Sequence, residues 1–193
     1  IDPAGNVVSS LIFEEVSSCF IGYDDGLIRC ANYHEGTYSF ISCKNDELKI
    51  VRKVVIGKGA ACHQLIPYKS GSIGACLKRD EMYIFDENFE IIRTVRFPEG
   101  SGPRHAAFSD DGRYMFVAAE LSDELFALDT DDFRIIDEIK LSESGVPAAI
   151  RLQDDLICVS VREADLVCRA KFSDGRLSIE DIHSCGGRHP RDM

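Results

Sequence analysis

Apolar residues in this chain come in short alternating runs split by Gly, Asp, Asn and Ser. No stretch shows the three-and-four spacing of an amphipathic helix. The first runs are SSCFI, GLIRCAN, TYSFISC and LKIVRKVVI, then CHQLIPY, SIGACL, MYIFD and EIIRTVRF. RHAAF, RYMFVAA, ELFALD and RIIDEIKL follow, and AAIRL, LICVSV, DLVCRAKF and RLSIEDI complete the series. Period-two alternation of this length predicts strands with one buried face. Four sets of four strands at a spacing of about forty residues predict an all-β β-propeller, one set to each four-stranded blade. A β-sandwich also uses many short strands, but its strands do not recur in fixed groups of four. The expected blades cover residues 17–57, 62–97, 104–141 and 148–184, with another beginning at 190, all within one propeller domain.

Antiparallel order within a blade sorts its loops. Turns between first and second strands, and between third and fourth, gather at one end. They carry DDG, KSG, ENF, SDDG, DTDD, QDD and SDG, the usual chemistry of solvated turns. The other end receives NYHEG, GAACH, KRDE, GSGPRH, AELSD, SGVP, VREAD and GGRHPRD. His34, Glu35, His63, Arg104, His105, Glu120, Arg162, Glu163 and Arg191 are thereby expected on one rim, with Asp110 and Asp154 on the other. Singly, each has a plain structural explanation such as a surface ion pair. It is their gathering at one end that points to chemistry.

Composition narrows the partners. Of the 193 residues 45% are hydrophobic and 28% charged, and the formal net charge is −11 with no block of Lys or Arg. Nucleic acid and anionic membrane are therefore not expected as partners, since both demand clustered positive charge. No apolar run approaches the ~20 residues of a membrane span. The opening IDPAGNVVSSLIFEE has no basic stretch ahead of an apolar one, so no secretory leader is expected. With no initiator Met, the chain is expected to begin inside a longer one or to carry a cloning remnant. Eight cysteines show neither Cys-x-x-Cys nor zinc-like spacing, which fits buried thiols in a reducing cytoplasm. No metal or other cofactor is expected.

GSGPRHAAFSDDGRYMFVAAELSDELFALD resembles the lactonase family of seven-bladed propellers, which includes 6-phosphogluconolactonases and a carboxymuconate-lactonising enzyme. CANYHEGTYSF and GGRHPRD resemble two further corners of that family, in the right order. The likeness covers about residues 17 to 193. It departs from the family at AACHQ, where Pro-His-x-His is common, and in the short KSGSIGACLKRDE. The resemblance implies a catalytic set of His63, Arg104, Glu120 and Arg191, and His34, His105 and Arg162, sorted to the same rim, are expected to bind substrate. It also implies a seven-bladed ring of which about four blades are present.

The expected activity is metal-independent hydrolysis of a sugar lactone, 6-phosphogluconolactone above all, in the carbohydrate metabolism of the pentose phosphate pathway. Arg104 and Arg191 would hold anionic groups and polarise the carbonyl. A Glu between two Arg is a poor base because its carboxylate is stabilised, which favours His63 for activating water. A lactonising lyase or isomerase acting on a polycarboxylate is the second reading. A non-catalytic propeller that binds ligand or protein is the third.

Four blades with seven-blade curvature would leave apolar faces open near Ser17 to Ile21 and near Ile179 to His189, more than the few hundred Å² a monomer tolerates. The chain is therefore expected to self-associate, to aggregate or to bind a completing segment. Light scattering on the 193-residue chain tests this. A stable monomer with a cooperative melt would instead indicate a closed four-bladed ring.

Overall fold

A computed structural model describes residues 4–12, 18–143 and 145–193. Ser17, the first residue of the first expected strand, lies outside them. The described residues form four antiparallel sheets of four strands, each in simple sequence order, so the chain is an all-β, partial β-propeller. The first blade holds β1 (Ser18–Asp24), β2 (Leu27–Asn32), β3 (Thr37–Lys44) and β4 (Glu47–Val55). The second holds β5 (Cys62–Tyr68), β6 (Gly71–Cys76), β7 (Glu81–Phe85) and β8 (Ile91–Arg96), with one 3₁₀ turn at Leu77–Arg79. The third holds β9 (Pro103–Phe108), β10 (Tyr114–Ala119), β11 (Glu124–Asp129) and β12 (Ile135–Lys140). The fourth holds β13 (Pro147–Gln153), β14 (Leu156–Val161), β15 (Leu166–Ser173) and β16 (Arg176–Ser184), and residues 185–193 follow as turns and coil. Among the described residues no helix is long and apolar enough to cross a membrane.

By contact density the chain divides into two compact units, 1–94 and 95–193. The first is built around Tyr38, Phe40, Leu65 and Phe85, all essentially buried. The Tyr38 hydroxyl donates to the Ala75 carbonyl at 2.7 Å, which satisfies the one polar atom its ring carries inward. Arg29, also buried, donates from Nε to Ser72 Oγ at 2.8 Å and so ties β2 to β6. The second unit packs Phe116, Leu125, Ile150 and Val159 into one cluster, edged by Tyr114 and Phe172. The Asp137 carboxylate accepts the Leu177 backbone N–H at 2.7 Å and joins the third blade to the fourth.

Burial follows strand position. Most middle-strand residues are buried, those of β15 less so, whereas β4 and β16 are mostly exposed, as charged edge strands should be. In β1, Ile21 is 67% exposed, although the residues in the same register, Leu65, Ala106 and Ile150, are buried at 0%, 4% and 1%.

One ladder irregularity recurs. At the start of each first strand, two residues oppose one on the second strand. Ser18 pairs with Asn32 and Phe20 with Ala31, leaving Cys19 as the extra residue. Cys62 pairs with Cys76 and Gln64 with Ala75, leaving His63. Pro103 pairs with Ala119 and His105 with Ala118, leaving Arg104. In the fourth blade Pro147 pairs with Val161 and Ile150 with Val159, which puts Ala148 in the same place. Such β-bulges bend the strand and re-aim one side chain.

The second strands all end at the residue that closes this ladder, and the next residue opens the turn to the third strand. That position holds Tyr33, Leu77, Glu120 and Arg162. In three blades its N–H donates to the residue just ahead of the first strand: Leu77 to Ala61, Glu120 to Gly102 and Arg162 to Val146. The fourth turn position is left-handed throughout, with Gly36 at φ 63°, Asp80 at 53°, Asp123 at 58° and Asp165 at 56°. Asp tolerates this conformation and uses its carboxylate. Asp123 accepts the N–H groups of Gly145 and Val146 at 3.0 and 2.6 Å, and Asp165 accepts that of His189 at 2.6 Å.

Gly36 is required for a stronger reason, because a Cβ there would lie 1.8 Å from the Gly57 carbonyl oxygen. Gly36→Ala should lower stability by about 2–3 kcal/mol, since strain and overpacking add. Gly59→Ala, at φ 75° but facing open space, should cost only about 1 kcal/mol. Urea melts of both variants check the difference, and equal losses would show that the carbonyl contact does not matter.

Candidate functional site

In the second unit the bulge and turn positions meet. Arg104 leaves the β9 bulge, and its Nε lies 2.8 Å from Glu120 Oε2. Arg162, from the equivalent turn of the fourth blade, brings Nη2 to the same oxygen at 2.8 Å. The two guanidinium side chains are 6% and 9% exposed and the carboxylate 17%, so this is a largely desolvated ion triplet. Arg162 is braced further by its Nε, which donates to the Val146 carbonyl at 3.4 Å.

Gly102 makes the approach possible. At φ 65° it turns the chain into β9 while its carbonyl accepts the Glu120 N–H at 2.8 Å. A Cβ there would press on the Leu121 side chain at 2.5 Å. The Gly-Pro-Arg-His corner is thus a hinge that sets Arg104 opposite Glu120.

Both guanidinium groups thus meet one carboxylate oxygen, in a protein of net charge −11. Desolvated charge demands compensation. Two desolvated guanidinium groups fixed at one carboxylate suit an anionic ligand, and their planar forks match carboxylate and phosphate.

In the first unit His63 occupies the β5 bulge and is 8% exposed. The Cys19 thiol donates to the carbonyls of Cys62 at 3.3 Å and His63 at 3.5 Å, tying the β1 bulge to the β5 bulge. The Tyr33 ring stands edge-on to His63, with centroids 5.8 Å apart at 89°, and edge-on to exposed His34 at 5.2 Å and 81°.

Within each unit the sequence-predicted residues group as follows. Arg104, Glu120 and Arg162 are brought together, and His63 and His34 share Tyr33. His105 is buried on β9 opposite Ala118. Arg191 is exposed in the last segment, where its neighbour Asp192 pairs with Arg151 at 2.6 Å, so the second guanidinium on Glu120 is that of Arg162. Tyr33 was missed because an aromatic after a strand reads as core. Its signal is positional, being the residue aligned with Glu120 and Arg162.

Within the second unit, Asp110 and Asp154 occupy the first turns of their blades, at the opposite ends of β10 and β14 from Glu120 and Arg162. They share a cleft of about 600 Å³ with Tyr114 and Phe172. The cysteines carry no nucleophile signature. Burial pushes the Cys168 thiol up to about 11, and a hydrogen bond with Cys62, together with burial, raises that of Cys76. All eight are free. Among the described residues no group of three or more His, Cys, Asp or Glu is disposed to hold a metal ion.

The family model described as lactonase, seven-bladed β-propeller, matches residues 4–193. A Staphylococcus aureus protein of uncharacterized function is 31% identical over 123 residues, which make up 58% of this chain and 36% of that protein. A crystal structure of a Lactobacillus plantarum protein superposes with TM-score 0.84 at 25% identity, covering 91% of this chain and 60% of that one. That of a candidate 6-phosphogluconolactonase from Bacteroides fragilis gives TM-score 0.75 at 21% identity, covering 91% and 59%. The chain thus spans less than two thirds of the length of each.

If Glu120 is the counter-charge that holds both guanidinium groups, Glu120→Gln should cost about 3 kcal/mol, because two buried cations lose their partner. Added inorganic phosphate should raise the melting temperature of this variant more than that of the wild type, with sodium chloride at equal ionic strength as control. Equal shifts would show that the paired guanidinium groups do not select anions.

Proposed function

The chain belongs to the lactonase family of seven-bladed β-propellers, and on that premise we propose that it hydrolyses a sugar lactone bearing an anionic group, foremost 6-phosphogluconolactone. The observation that carries this reading is the Arg104–Glu120–Arg162 triplet, two desolvated guanidinium forks fixed at one carboxylate oxygen. Arg104 and Arg162 hold the anionic group and the lactone carbonyl, and stabilise the oxyanion that forms when water attacks. Glu120 fixes their geometry rather than taking a proton. His63 takes the base role that the family resemblance gives it and accepts a proton from the attacking water. Collapse of the tetrahedral intermediate then breaks the ring C–O bond, and the departing alkoxide takes a proton to give the open hydroxy acid.

Arg191 belongs to this reading only through its motif, whereas Arg162 is supported by its contact with Glu120. The relative from Bacteroides fragilis, described as a candidate 6-phosphogluconolactonase, supports the substrate class. Eight free cysteines support a reducing compartment such as the cytoplasm. The guanidinium pair would equally suit a polycarboxylate, so a lactonising reaction is the second reading.

Steady-state hydrolysis of 6-phosphogluconolactone by the wild type and Arg104 variants tests the first. Arg104→Ala should raise KM strongly and lower kcat/KM by about a hundredfold or more, the loss of an oxyanion donor. Arg104→Lys should recover little of it, because the bidentate fork is gone. Full activity in Arg104→Ala removes Arg104 from the site. Turnover of a carboxymuconate with no lactone hydrolysis selects the second reading.

A further inference from the structure

We infer that Tyr33 is a positioning residue for His63, holding the imidazole by an edge-to-face ring contact so that it points where a base is needed. The inference rests on the reading of His63 as the base.

Two independent observations carry it. The first is positional. Tyr33 is the residue that follows the second strand of its blade, the place held by Glu120 and Arg162 in the other unit, and both of those orient Arg104 or its partner carboxylate. Leu77 holds this place in the second blade, so the scaffold does not require an aromatic there. The second is the contact itself. The Tyr33 and His63 rings are 5.8 Å apart and perpendicular at 89°, within the range where aromatic pairs have directional preference.

A positioning residue must itself be held, and the mount of Tyr33 is stiff on both sides. Asn32, fully buried, accepts from Ser18 Oγ at 2.7 Å and donates from Nδ2 to Thr37 Oγ1 at 2.9 Å and Ser39 Oγ at 3.0 Å. At the far end of the turn, Gly36 accepts the N–H groups of Ile56 and Gly57 at 2.9 and 3.1 Å. Tyr33 is itself only half-buried, so its ring adds little to the core that would otherwise explain it. His63 sits on a bulge, which bends the strand and re-aims its side chain. The Tyr33 ring of the preceding blade stands against it as one wall.

The test compares Tyr33→Phe, which keeps the ring, with Tyr33→Leu, which removes it while leaving an apolar side chain of the kind Leu77 already provides. The first readout needs no turnover. The ring-proton resonances of His63, assigned by their loss in His63→Gln, should keep their wild-type shifts in Tyr33→Phe and move toward free-histidine values in Tyr33→Leu. Unmoved resonances in Tyr33→Leu overturn the inference. The second readout is lactone hydrolysis. Tyr33→Leu should lower kcat by a factor on the order of ten to a hundred, as for a displaced catalytic group. KM should stay within about threefold, and Tyr33→Phe should stay near wild type. An equal kcat loss in Tyr33→Phe makes the hydroxyl the active part and overturns positioning by the ring. If the wild type hydrolyses no lactone, the proposed function fails, and the resonances alone decide the placement of His63.

Discussion

At the start of each sheet two residues of the first strand face one of the second, and the extra residue cannot share the ladder. It must turn its side chain elsewhere or leave the sheet. Because the second strand ends at the same level, the first residue of the following turn is brought beside it, and in three blades a backbone hydrogen bond closes the pair. Every blade therefore offers two side-chain positions whose direction is set by backbone geometry rather than by packing. The bulge positions are Cys19, His63, Arg104 and Ala148, and the turn positions are Tyr33, Leu77, Glu120 and Arg162. Everything chemically notable in the two units hangs from these.

The ion triplet is hard to explain as a stabilising device. Buried ion pairs seldom repay their desolvation, and a well-packed apolar substitute is often as stable or more so. Here two guanidinium groups are drawn to one carboxylate oxygen, with all three side chains largely out of water. The same scaffold position accepts Ala148 and Leu77 elsewhere without loss of the sheet, so the fold does not require charge there. What the arrangement gives is two fixed, poorly hydrated guanidinium groups.

Much of this was legible in the chain. The period of about forty residues and the alternation within each run revealed the four sheets, because both follow directly from pleat geometry. Turn chemistry sorted the polar residues by strand end, and within the second unit Glu120 and Asp110 do lie at opposite ends of β10. The bulges were not legible, since an extra residue in a ladder has no compositional mark and His63 and Arg104 read as ordinary strand residues. Only the register shows that Arg162 occupies the position of Glu120 one blade on. Tyr33 was hidden for a different reason, because half-buried aromatics at strand ends usually serve the core.

Repetition also makes the differences between blades informative. If every bulge and turn position had to be filled for stability, all four blades would show similar residues there. Instead the fourth bulge holds Ala148, buried and without functional atoms, and the second turn holds Leu77. The third blade fills both of its positions with charge, Arg104 and Glu120. In the first unit, a turn aromatic of one blade faces the bulge histidine of the next. A backbone that treats these positions alike cannot have imposed this pattern, and packing alone would favour small or apolar residues at all of them. The pattern therefore belongs to the side chains themselves, set on an otherwise repetitive scaffold.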